Sequence, residues 1–94
     1  MFRVLDAMKG PHSGHILRLR VQSGEAPTIR ALRGATLKAT SPEGSTATVK
    51  VTGFSITGGK ASNDRLARTG RIDVHVEEVD GDGPVGIQWE AVLA

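Results

Sequence analysis

Residues Gly34 to Gly53 read GATLKATSPEGSTATVKVTG, and this stretch specifies a β-hairpin down to its register. Apolar and polar residues alternate on both sides of Ser41-Pro42-Glu43-Gly44, with Ala35, Leu37 and Ala39 going in and Ala47, Val49 and Val51 coming out. Such period-two alternation marks a strand with one buried face. Only one loop length keeps the six together. With Pro42-Glu43-Gly44 as the loop, Ser41 lies opposite Ser45, so Ala39 pairs with Ala47, Leu37 with Val49 and Ala35 with Val51. A loop shorter by one residue sets Ala39 against Thr46 and turns half of the apolar set to water. The turn chemistry agrees. Pro42 has the φ wanted at the second position of a type I turn, and Gly44 can take the left-handed conformation of a G1 bulge.

Working outward, Phe2–Ala7 reads as a short first strand, followed by a loop rich in glycine and proline over Met8–Gly14. His15–Gln22 alternates, with Leu17, Leu19 and Val21 on one face and Arg18, Arg20 and Gln22 on the other. Thr28–Leu32 reads as a short strand or an edge, and Phe54–Ile56 as a continuation of the hairpin past a bulge at Gly53. Within Thr57–Gly70, Ser62 or Asn63 can cap a helical turn over Asp64–Ala67 that Gly70 ends. Arg71–Val79 puts Ile72, Val74 and Val76 inward. Asp80-Gly81-Asp82-Gly83-Pro84 is a turn cluster, and Val85–Leu93 reads as a last strand with Ile87, Trp89, Ala91 and Leu93 on one face. Short strands with turn signals between them predict an all-β fold, a small antiparallel barrel of about six strands in one domain over residues 1–94. Closure follows from size, because an open sheet this small leaves its apolar face and edges free to associate. The expected core is Leu17, Leu19, Leu37, Val49, Val51, Ile72, Val74, Ile87 and Trp89.

A chain of 94 residues supports one modest core, burying roughly 60–65% of its unfolded surface. Aromatic residues are scarce and cysteine is absent, which removes disulfides, thiolate metal sites and a cysteine nucleophile. No charged-then-apolar leader and no long apolar run is present, so the expectation is a cytoplasmic protein with no membrane contact. The net charge of +2 hides a lopsided distribution. Residues 1–71 hold all 12 Lys and Arg against four acids, a net +8, and residues 72–94 hold six acids and no base, a net −6. Two readings follow. Strands from the two parts neutralise one another across the sheet, or the basic part presents a face to an anionic partner.

The spacing of Gly14-His15-Ile16, of Leu32-Arg33-Gly34-Ala35-Thr36-Leu37 with the hairpin return to Val51, and of Leu66-Ala67-Arg68-Thr69-Gly70-Arg71-Ile72-Asp73-Val74 resembles the second domain of elongation factor Tu-like translational GTPases. In that β-barrel family glycines open successive strands in this manner. Ala35 and Arg71 depart from it, standing where the family has acidic residues, and the Gly14–Gly34 spacing is long. The resemblance covers about residues 14–79 and implies a barrel that serves as a contact surface for RNA, the ribosome or a neighbouring domain. It carries no nucleotide site. The sequence lacks the GxxxxGK[ST] loop whose amides cradle phosphates, so neither GTP binding nor hydrolysis is expected.

No other chemistry is indicated. His12 and His15 lack a third metal ligand, His75 being on the polar face of a distant strand. Asp80 and Asp82 lack the further acids of a calcium loop. Glu77 and Glu78, as strand neighbours, point to opposite faces and cannot act as a carboxylate pair. No enzyme activity, metal or cofactor is expected. The sharper hypothesis is a basic surface: Arg18 and Arg20 on strand two, Lys38 and Lys50 as diagonal neighbours on the hairpin, and Arg30 and Arg33 close in sequence to both. Such a surface suits phosphates, although no aromatic residue is interleaved to stack on bases. The sequence therefore reads as a non-enzymatic interaction module for an unspecified protein partner, with RNA or ribosome binding as the alternative.

Overall fold

The computed structural model describes residues 1–9, 14–24, 26–54, 63–81 and 84–94, the side chains of 63–65 excepted. Its hairpin has the register the alternation demands. Strands β3 (Thr36–Thr40) and β4 (Thr46–Phe54) pair Leu37 with Val49 and Ala39 with Ala47. Gly44 has φ +96° and donates its N–H to the Ser41 carbonyl at 3.0 Å, closing the turn. Ser41 is buried, and its Oγ accepts the Ser45 N–H at 2.9 Å. The N–H of Val51 reaches the Ala35 carbonyl at 2.8 Å.

The other elements are β1 (Phe2–Lys9), β2 (His15–Val21), α1 (Ile29–Leu32), α2 (Asn63–Thr69), β5 (Arg71–Gly81) and β6 (Glu90–Leu93). The strands form a closed antiparallel barrel in the order β1-β2-β5-β4-β3-β6. The short β6 closes it, pairing with β3 from Leu37↔Leu93 to Thr40↔Glu90 and with β1 through Phe2↔Ala91 and Arg3↔Glu90. Among the described residues no helix is long and apolar enough to cross a membrane.

Of the expected core, Leu17, Leu19, Leu37, Val49, Val51 and Val74 are buried, while Ile72 and Trp89 pack against the core half-buried. Ile87 is a correction, being 55% exposed. The chain does not run as a strand from Val85: Gln88 has φ +72°, which breaks the alternation, so Val85 is buried, Ile87 faces out and the strand begins at Glu90. Thr28–Leu32 is also corrected, from an edge strand to a helical turn. Thr28 Oγ1 accepts the Ala31 N–H at 3.0 Å as an N-cap, and the turn delivers Leu32 to the core. The second short helix delivers Leu66. It ends at Gly70, whose N–H bonds the Leu66 carbonyl at 2.7 Å. The expected bulge appears as a register shift between Val51 and Gly53, with Phe54 opposite Val74. Ser55, Ile56, His12, Ser62 and Asp82, on which further expectations rested, lie outside the described residues.

Candidate anion-binding face

Burial of Leu17 and Leu19 turns Arg18 and Arg20 outward on β2. Their neighbours on the adjoining strands then follow from register. Arg20 stands opposite Arg3 of β1 and opposite Arg71 of β5, so three arginines share one cross-strand row. Arg18 stands opposite Asp6 of β1 and Asp73 of β5. The register of β1 shifts between Val4 and Asp6, and this bulge brings Asp6 onto the outer face that Arg3 already shares. Adjacent rows of the same three strands thus read base-base-base and acid-base-acid.

The contacts differ accordingly. Arg18 Nε donates to Asp73 Oδ1 at 3.0 Å and Nη2 to Oδ2 at 3.3 Å. That forked hydrogen bond, with the charge of Asp73 and then that of Asp6, holds the guanidinium pKa above its ordinary value. At the end of the other row, Arg3 Nη2 donates to Glu90 Oε1 and Nη1 to Gln88 Oε1, both at 3.3 Å. Arg20 and Arg71 are exposed and make no ion pair with any described residue.

The remaining basic residues are placed apart from these. Lys38 and Lys50 are diagonal neighbours on the hairpin, as expected, but β5 lies between them and β2. Lys50 is opposite Glu77 of that strand, and Thr48, opposite Lys38, is opposite Asp80. Arg30 is exposed on α1. The Arg33 guanidinium lies 5.4 Å from the centre of the Phe54 ring, a cation–π arrangement that also covers a face of that ring. The structure therefore does not gather Arg18, Arg20, Arg30, Arg33, Lys38 and Lys50 into one surface.

His15 and His75 belong to neighbouring strands, not distant ones. However, His15 is opposite the buried Val76 and His75 opposite Ile16, so the two histidines occupy opposite faces. Among the described residues no group of three or more His, Asp or Glu is placed to hold a metal ion. The expected turn cluster begins later than its first two residues: Asp80 and Gly81 are the end of β5, opposite Thr48 and Ala47, and the Asp80 side chain accepts the Gly81 N–H at 2.8 Å.

At the end of the barrel where β1 begins and β2 and β6 end is a groove of about 180 Å³ lined by Met1, Phe2, Val21, Pro27, Val92 and Leu93. Neither this groove nor the parts of Arg3 and Arg71 were visible in the sequence, because the three arginines meet only through strand pairing. No family model, curated protein or solved structure matches the chain, so the face is interpreted from its own geometry.

Proposed function

We propose that the chain is a non-enzymatic β-barrel interaction module that acts in the cytoplasm on a protein partner, with a fold like the second domain of elongation factor Tu-like translational GTPases. The observation that carries this reading is the acidic strand β5 set between the basic strands β2 and β4. A nucleic acid laid across them meets Asp73, Glu77 and Asp80 between Arg18 on one side and Lys50 on the other. Phosphate binding gains from cations tracking the backbone, and carboxylates in that track oppose it. A protein surface, with charges of both signs, tolerates the interruption. Strand addition is disfavoured because closure leaves no sheet edge, so contact falls to side chains of the outer face. The likeness to the translation-factor barrel is supported by Gly14, Gly34 and Gly70, which stand at the entrances of β2, β3 and β5.

Titration of the protein with a structured RNA across salt concentrations tests the reading. Negligible retention even at low salt is expected. Tight retention that falls steeply with salt and is abolished by Lys38→Glu with Lys50→Glu would replace it with RNA binding.

A further inference from the structure

We infer that the Arg3–Arg20–Arg71 row and the adjoining groove form one docking site for a protein segment that carries carboxylates next to an aliphatic side chain. This rests on the interaction-module reading above and names the chemistry of the partner. Three guanidinium groups in one row are held by pairing at neighbouring positions, where directly opposed residues of an antiparallel sheet have Cβ atoms about 5 Å apart. Among the described residues only Arg3 of the three has a carboxylate to hold it, so Arg20 and Arg71 present exposed charge without an ion-pair partner there. Their planar forks match carboxylate oxygens two at a time.

The groove supplies the other half. Met1 precedes Arg3 by two residues and Val92 follows Glu90, the residue opposite Arg3, by two, so both groove-lining side chains share the outer face of the row, while Phe2 and Val21 close the groove from the inward side. Its volume of about 180 Å³ is that of a single small apolar group, since a cavity of about 150 Å³ takes up one benzene. Lys38, opposite Val92, adds positive charge on the far rim. A nucleic-acid strand suits this site poorly: the groove's one aromatic residue, Phe2, is buried and offers no ring face for a base, and Glu90 and Asp73 lie beside the row.

The test is a nuclear magnetic resonance titration of the full chain with a capped peptide Ser-Glu-Glu-Leu-Ser. Controls are the same peptide with both glutamates replaced by glutamine, one with leucine replaced by serine, and an oligouridylate. The acidic-aliphatic peptide is expected to move the Nε–Hε signals of Arg20 and Arg71 together with the methyl signals of Val21 and Val92. Either peptide control, and the Arg20→Glu or Val92→Ser protein, is expected to weaken binding about tenfold, while Lys50→Glu leaves it unchanged. The first variant places a carboxylate between two arginines and the second changes a partly exposed position, so both retain the fold. Equal binding of the glutamine peptide, no binding of the acidic one, or perturbations mapping away from the row overturn the site and leave the interaction-module reading standing. Oligouridylate moving Arg20 and Arg71 where the peptide does not would overturn both.

Discussion

Arg18 and Arg20 are the same side chain, on the same outer face of the same strand, and both are exposed, yet their surroundings are opposite. Arg18 is flanked by Asp6 and Asp73 and is forked onto the latter. Arg20 is flanked by Arg3 and Arg71. The difference is made by strand order and one bulge in β1, and it teaches that charge along a chain does not reveal charge across a sheet. Opposed unlike charges stabilise a sheet and opposed like charges destabilise it, by roughly 0.2–1 kcal/mol per pair. The row Arg3–Arg20–Arg71 is the destabilising one of the two, and Arg20 and Arg71 have no ion-pair partner among the described residues.

The contrast can be broken most severely from beneath. Leu19 is fully buried between the two arginines on β2, and Leu19→Ala should cost about 2–5 kcal/mol in urea unfolding, removing both rows with the wall that carries them. A smaller loss is expected where β5 is anchored. Gly81 has φ +99°, and an added Cβ would lie 2.5 Å from the Thr46 carbonyl oxygen. Gly81→Ala should therefore cost about 1–3 kcal/mol by the same measurement. Wild-type stability in that variant would mean that the register of β4 against β5, and with it the Lys50–Glu77 opposition, is not held there.

Removing the acids of β5 sharpens the comparison without touching the core. Asp73→Lys with Glu77→Lys joins the two basic regions, and retention of a structured RNA should appear at low salt and vanish as salt rises. If the unmodified protein retains RNA equally well, β5 does not interrupt the face. A pH effect through Arg18 is expected to be absent near neutrality. Its raised pKa means that its contribution is complete below the unfolded value and is lost only as pH rises through the folded one, in strongly alkaline solution. Stability profiles of the wild type and of Arg18→Gln should thus run parallel from neutral to mildly alkaline pH.

The fold was legible where two independent constraints met. In the hairpin, alternation and turn chemistry admit one register, and Leu37↔Val49 and Ala39↔Ala47 follow. They did not meet over Val85–Leu93, where alternation alone suggested a strand, and a left-handed conformation at Gln88, rare for a residue with a side chain, reversed the face of Ile87. At Thr28–Leu32 the overlooked signal was Thr28 as an N-cap, with Ile29 and Leu32 at a spacing that one helical turn brings to one side. Of the candidate site, the basic side chains were legible as exposed, and the opposite-charge pairing of the acidic quarter was one of the two readings the charge distribution allowed. Their grouping was not legible, because Arg3, Arg20 and Arg71 come from three strands whose adjacency depends on the barrel's strand order.

The most direct measurement compares the unfolding free energies of Arg18→Gln and Arg20→Gln at low and at molar salt. At low salt the account predicts opposite signs: Arg18→Gln lowers stability by releasing Asp73, and Arg20→Gln raises it, by up to about 1 kcal/mol, by relieving Arg3 and Arg71. At molar salt, where the screening length falls to about 3 Å, the two values should converge. Losses of equal size and sign in both variants, insensitive to salt, would contradict the claim that neighbouring rows of this barrel are electrostatic opposites.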